Sequence, residues 1–419
     1  MGSQRNGRRI RARLAACVLT VCVALTSGCT PSAPPQVPGA DTPGAPSSSP
    51  VSGSAAQGGV SGSAPQGGVS GSAPQNSAGQ GTTTAPPTVS AVLATGLNLP
   101  WAIAFLPDGT ALVSERDTAI IQLVHDGSAP AAGKAEVGKA AAGKTEVGKV
   151  ANVVPGGEGG LLGLAVADTF NSDHYVYAYY TSATDNRVVR MTYEDGRLGL
   201  QQVLLTGIAK ANNHDGGRIK FGPDGFLYVG TGDALQQDSA QDRNSLNGKV
   251  LRITADGKPA PGNPFGNSPV YSYGHRNVQG IAWDSAGRLW ISEFGPDIND
   301  ELNLIQPGGN YGWPLVTGAP GRAGLIDAKV VWPSTADASP SGLAIVDDVA
   351  YLSALRGERL WQVVLHGTDP AQPQEFFRGE YGRLRDVVAA PADQNETGSQ
   401  QKLWVLTNQG TDDEILVVD

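Results

Sequence analysis

The sequence predicts an all-β fold, a six-bladed β-propeller, on three observations. Short β-rich runs closed by Asp/Gly turns recur down the chain. The copies stand unevenly, at roughly 60 residues or a multiple of it. Few segments sustain a helical period.

The recurring unit is strand, tight turn, strand. It reads IAFLPDGTALVSE at 103–115, IKFGPDGFLYVGTGD at 219–233, IAWDSAGRLWISE at 281–293 and LAIVDDVAYLSA at 343–354. A weaker copy with a longer turn, VVAAPADQNETGSQQKLWVLT, stands at 387–407. Pro-Asp-Gly supplies the φ preferences of the turn. The second strand alternates apolar with polar or small residues, as a half-buried strand does. A blade carries four strands. At about 50–60 residues a blade, the 328 residues of 92–419 make about six. A double β-sandwich is the competing architecture, but it gives no reason for one hairpin to recur along the whole body.

The propeller is preceded by an address and a tether. Residues 1–29 read as a signal peptide with a lipobox: five Arg (residues 5, 8, 9, 11 and 13), the apolar run LAACVLTVCVALT at 14–26, then Ser27-Gly28-Cys29. The run is too short for a comfortable membrane span. Lipidation is expected at Cys29, with a plain cleaved signal as the alternative. Residues 30–91 form a disordered Pro/Gly/Ser linker in which VSGSAAQGG, VSGSAPQGG and VSGSAPQ repeat with a period of nine. It has too little apolar surface to offset its ordering entropy. A second low-complexity segment, 128–150, repeats GKAEVGK as GKTEVGK and reads as a loop insertion in the propeller. The expected location is extracytoplasmic, lipid-anchored to a bacterial cell membrane or otherwise secreted, with no other membrane contact.

Composition narrows the classes. Of the 56 Gly in 419 residues, 42 lie in 92–419, where tight turns need them. They have no three-residue period, which excludes collagen, and charged residues at 16% exclude a long coiled coil. The body carries 25 basic and 38 acidic residues, net −13, so nucleic acid is not an expected partner. All three cysteines (Cys17, Cys22 and Cys29) precede it, so the body has neither a disulfide nor a thiolate metal site.

Several groups in this body carry chemistry. His214, in NNHDGGR, and His275, in YGHRNVQG, each stand just before a repeat hairpin, which puts both at one end of the axis. A His beside a polar channel acts as a general base or bonds loop carbonyls. SEFGPDINDE at 292–301, followed by GNYGW at 309–313, is rich in oxygen ligands of the kind Ca²⁺ takes, or is a turn whose acids cap backbone amides. Arg356, Arg383 and Arg385 are conspicuous in an acidic body. The last two share a face if extended, and either bind carboxylates or bridge to neighbouring blades.

Taken together and in order, these segments resemble the soluble PQQ-dependent glucose/sorbosone dehydrogenases, including the aldose sugar dehydrogenases. The resemblance covers 92–419. It rests on LPW at 99–101, GGEGGLLGLA at 156–165, NNHDGGRIKFGPDGFLYVGTGD at 212–233, QDRNSLNGKVLRI at 241–253, YGHRNVQGIAW at 273–283, SEFGPDINDELNLI at 292–305, GGNYGWP at 308–314 and GRLRDVVAAP at 382–391. It implies a six-bladed propeller with pyrroloquinoline quinone (PQQ) at one end of the axis. An aldose is then oxidised at C1 to the lactone, His214 being the base and hydride passing to the quinone. By the same resemblance Arg276 is catalytic, Arg276 and Asn277 contact the quinone oxygens, and Arg356, Arg383 and Arg385 hold the cofactor carboxylates. Gly295 and Pro296 carbonyls would ligate a cofactor-bridging Ca²⁺, and Glu301 and Tyr311 match a second, structural Ca²⁺ site. Electrons would leave to a periplasmic or membrane acceptor.

Two positions depart from the family pattern. Glu158 stands at a cofactor-binding position where the best-known members have Gln, and Asn213 stands where some have Asp beside the catalytic His. These departures favour the alternative of a non-catalytic cell-surface propeller binding glycans or protein. A propeller lactonase is a further alternative.

Overall fold

In the computed structural model the described residues are 86–125, 143–391 and 401–419. The signal, Cys29 and nearly all of the linker lie outside them, as do residues 128–142 of the second low-complexity segment. No helix among the described residues is long and apolar enough to cross a membrane.

The strands form six antiparallel sheets of four or five strands each. The innermost strands are Pro100–Phe105, Leu161–Val166, Ile219–Phe221, Val278–Trp283, Pro340–Val346 and Leu384–Ala389, for blades 1 to 6 in order. Each packs against the next, and the sixth packs against the first, so the sheets ring an axis as a six-bladed propeller. The recurring hairpins are the first two strands of blades 1, 3, 4, 5 and 6. In blade 2 the link between Leu161–Val166 and Tyr175–Thr181 holds the helical turn Phe170–Asp173 in place of a tight turn. Between blades, apolar side chains interlock; Tyr177, Tyr179 and Tyr180 are fully buried there.

The start of the body closes the ring. Strand Val89–Leu97 pairs with Asp413–Val418, Val89 opposite Val418 and Leu97 opposite Asp413. Thr88 and Asp419 exchange main-chain bonds of 3.1 and 2.9 Å. The ordered body therefore begins before residue 92, at the foot of this strand. The low-complexity segment is also only partly a loop. Gly143–Lys149 is the outer strand of blade 1, paired with Ile120–His125. Only Val147 of it is buried, because an edge strand needs its ladder and little else, and the flanking Lys and Glu protect the edge.

Five inner strands slip register near their start, between Pro100 and Ala102, Leu161 and Leu164, Val278 and Gly280, Pro340 and Leu343, and Leu384 and Asp386. A bulge frees a residue from the ladder and re-aims its side chain. Trp101, Gln279 and Arg385 are such residues, and all three line a cavity on the axis. Antiparallel order puts the hairpin turns at the other end of the axis.

Closure of the ring by Val89–Leu97 gives a truncation test. A chain beginning at residue 86 should melt within about 2 °C of the full chain. One beginning at residue 98 exposes the edge of blade 6 and should lose most of its cooperative transition, as read by circular dichroism.

Candidate functional site

The cavity at the bulged end has a volume of about 410 Å³, within the range of small-molecule sites. Its wall comes from two kinds of loop, the links that precede inner strands and the turns that follow second strands. The first kind brings Glu158, His214, Arg276 and Arg383, with Arg385 from the bulged start of the blade 6 inner strand; the second brings Arg116, Gly295, Pro296 and Arg356. Eight of the residues expected from sequence thus meet on one wall. His275 does not reach it. Its ring is fully buried, with Nδ1 to Glu293 (2.8 Å), Nε2 to Ser272 (2.8 Å) and Tyr311 stacked on it.

His214 is fixed on three sides. Its N–H donates to Glu158 Oε2 (2.7 Å), its carbonyl accepts from the Ala234 N–H (3.1 Å), and Nδ1 meets Asp233 Oδ1 at 2.7 Å. That leaves Nε2 for the cavity. The loop is strained, with His214 at φ 65°. Two glycines make it possible. A Cβ at Gly216 would lie 2.6 Å from the Gly230 carbonyl, and one at Gly232 only 1.8 Å from the His214 carbonyl. Gly232 is thus what lets Asp233 approach the imidazole.

Asp233 is fully buried. Burial raises its carboxyl, but the bond and charge of His214, with donation from Trp313 Nε1 (2.7 Å) and the Leu235 N–H (2.8 Å), outweigh this and hold it below its usual value. An ionised Asp233 accepts the Nδ1–H of His214, which sets the tautomer that makes Nε2 a base. Asp233 was not among the residues expected from sequence. It lies 19 positions from His214, and its signal was the GTGD that ends the blade 3 hairpin. Trp313, delivered by the long loop of residues 305–329, was likewise read only as part of a motif.

Glu158 is a paired carboxylate. Besides the His214 N–H it accepts from Asn213 Nδ2 (3.2 Å) and Asn277 Nδ2 (3.4 Å). Asn213 therefore serves Glu158, and the imidazole's partner is Asp233. Asn277 lies fully buried behind the wall, its Oδ1 accepting from the Gly216 N–H (3.0 Å) and Gln279 Nε2 (3.1 Å).

Five guanidiniums face the space. Arg385 is buried, and burial first, then Arg383, lowers it to about 9, so it stays charged at neutral pH. Burial also lowers Arg276 and Arg383. Arg276 lies over the Trp313 ring and gives Nη1 to the Phe294 carbonyl (3.2 Å). The buried Nε atoms of Arg276 and Arg385 have no partner among the described residues. Unpaired guanidinium donors around a cavity of this size suit a planar polycarboxylate, so the chain's residues fit PQQ.

Asp300 was also missed as a wall residue. It clamps the Gly295 N–H (2.8 Å) and the Ser339 N–H (2.7 Å), and burial pushes it up to about 6. With the Gly295 and Pro296 carbonyls, which accept no hydrogen bond from the described residues, it offers hard oxygen donors. Glu301 and Tyr311 lie apart from this wall, on a small void that also touches Glu293. Burial, then Glu293, raises Glu301 to about 8. The Tyr311 hydroxyl is committed to the Leu304 carbonyl (2.6 Å) and the Gln306 N–H (2.8 Å), which leaves only its main chain for a cation. Among the described residues no three His, Cys, Asp or Glu side chains group as a metal site.

Residues 97–415 match the profile of the Glucose / Sorbosone dehydrogenase family. The PQQ-bound aldose sugar dehydrogenase of Streptomyces coelicolor is 49% identical, with a TM-score of 0.72 over 80% of this chain and 98% of that one. The aldose sugar dehydrogenase YliI of Escherichia coli K12 is 28% identical over 369 residues, 78% of this chain and 92% of its own. The quinoprotein glucose dehydrogenase B of Acinetobacter calcoaceticus is 32% identical over 263 residues, 54% of this chain and 52% of its own.

The turn at residues 181–187 braces the His214 loop. Asn186 Nδ2 donates to the Ala209 carbonyl (3.1 Å) and Asp215 Oδ1 (2.9 Å), and Asp185 accepts from the Gly207 N–H (2.8 Å). Burial raises Asp185, but bonds from Gly207, Ser182, Arg187 and Thr184 prevail and hold it at about 2. A folded pKa below the unfolded one adds stability above the unfolded pKa, and that stability is lost as pH falls through the folded value. Asp185→Asn should therefore cost about 1–2 kcal/mol at pH 7. In denaturant melts the gap to the unsubstituted protein should close between about pH 4 and pH 2.

Proposed function

The chain belongs to the glucose/sorbosone dehydrogenase family, and on that premise we propose that it oxidises an aldose at C1 to the lactone with PQQ as the acceptor. The observation that carries this reading is the His214–Asp233 pair, with Nε2 turned to a cavity lined by five guanidiniums, four of which have no ion pair among the described residues. When bound, the cofactor supplies an ortho-quinone that takes a hydride. His214 Nε2 accepts the proton of the C1 hydroxyl, and Asp233 stabilises the imidazolium that results. Arg276 places a fixed positive charge where a hydride acceptor gathers negative charge. Arg356, Arg383 and Arg385 hold the cofactor carboxylates. The Gly295 and Pro296 carbonyls, with Asp300, would hold a Ca²⁺ ion, and Glu301 with the Tyr311 main chain would hold a second.

Glu158 and Asn213, the two departures that favoured a non-catalytic propeller, satisfy one another and brace His214. Electrons pass on to a periplasmic or membrane acceptor. The protein works outside the cytoplasm, anchored through a lipid on Cys29.

The test is a PQQ titration with Ca²⁺, followed by absorbance, and then dye reduction over an aldose panel. Saturable binding and turnover are expected. His214→Ala and Asp233→Asn should each keep quinone binding and lower kcat by about 10²-fold or more. No spectral change, with no dye reduction for any sugar, would sink the reading.

A further inference from the structure

The axis has a second chamber. Beyond the Arg218–Asp386 pair, toward the hairpin turns, the inner strands enclose a cavity of about 560 Å³. The repeat supplies its own control for what this wall needs. By strand register Ala104, Ala165, Ala282, Ala344 and Val388 occupy equivalent inner-strand positions in blades 1, 2, 4, 5 and 6. In blade 3 that position is Lys220, opposite Tyr228. The fold is thus built with a small apolar residue at this place, and one blade of six carries an amine.

That amine is not spent on the protein. Lys220 makes no hydrogen bond and no ion pair among the described residues. Asp386, the nearest acid by charge, is already taken by Arg218 Nη1 (2.9 Å), the Ile103 N–H (3.0 Å) and the Val387 N–H (3.0 Å). Asp168 also borders the cavity but is exposed. Burial lowers the Lys220 pKa, as a desolvated amine without a partner requires. With Arg218 and Asp386 neutralising each other and Asp168 exposed at the rim, Lys220 is the one cation lining the chamber without a partner among the described residues.

We propose that this second chamber is a binding site for a small amphiphilic monocarboxylate, its head on the Lys220 ammonium and its apolar chain along the inner strands. Charge complementarity selects the head, since one unpaired cation takes one anion. The walls select the rest, since Ala, Val, Ile and Leu faces favour alkyl over polar groups. The inference is independent of what the opposite chamber does.

The test is calorimetric titration of the purified chain with octanoate and, separately, 1-octanol. Octanoate should bind one to one and at least about tenfold more tightly than the alcohol. Lys220→Met should abolish that preference, and Lys220→Arg should keep it. Removing an unpaired cation should also raise the melting temperature of ligand-free Lys220→Met. Equal binding of acid and alcohol, unchanged octanoate affinity in Lys220→Met, absence of octanoate binding, or a lowered melting temperature in that variant would each overturn the proposal.

Discussion

The molecule is organised about one buried ion pair on its axis, Arg218 with Asp386. The two residues lie 168 positions apart and join blade 3 to blade 6 across the ring. Arg218 Nε donates to the Gln279 carbonyl of blade 4 (2.8 Å), and Asp386 accepts from the Ile103 N–H of blade 1 (3.0 Å). Trp101, also of blade 1, lies 4.3 Å beneath the guanidinium. Four of the six blades therefore meet in one bonded set. A buried pair is favourable only when its remaining valences are met, and loss of one partner costs about 3–5 kcal/mol. Here Asp386 is fully used, and the Arg218 guanidinium is left with one unpaired buried nitrogen. The pair lines the second chamber, and Gln279, which bonds Arg218, lines the first.

The same strands give opposite characters on the two sides of that pair. On one side the register slips, and Trp101, Gln279 and Arg385 turn into the cavity. On the other the ladder is regular and the equivalent residues are Ala or Val, with Lys220 the exception. Charge follows the same division. A body of net −13 concentrates five Arg on one wall. The two carboxylates there, Glu158 and Asp300, are each engaged by N–H donors. An anionic ligand thus meets guanidinium donors on a wall whose two carboxylates are already engaged.

Much of this was legible in the sequence because propeller hairpins repeat their turn chemistry. The Pro-Asp-Gly turns located the inner pair of blades 1 and 3, and the looser copies located blades 4 to 6. Blade 2 was harder to read, since the turn Phe170–Asp173 replaces the tight one. Outer strands were the least visible. Gly143–Lys149 has the composition of a linker, and only its ladder makes it a strand. Placing His214 at one end followed from its position before a hairpin; the same reading placed His275 there, which is buried away from the cavity, and the Arg roles came from the family resemblance. Asp233 could not be found that way, because its contact depends on a close backbone approach at Gly232.

Glu158 and Asn213 make the same point about reading positions singly. Each alone is a departure from the family pattern, one adding a charge near the cofactor wall and one removing a charge beside the base. In space they are donor and acceptor of one bond, and the second oxygen of Glu158 holds the main chain of His214. His214 sits at a positive φ that needs such restraint. The carboxylate is spent on amides instead of facing the cavity as a free charge. The imidazole loses nothing, because its charge partner comes from a different loop. Two departures that read separately as unfavourable therefore constitute, taken together, a brace for His214.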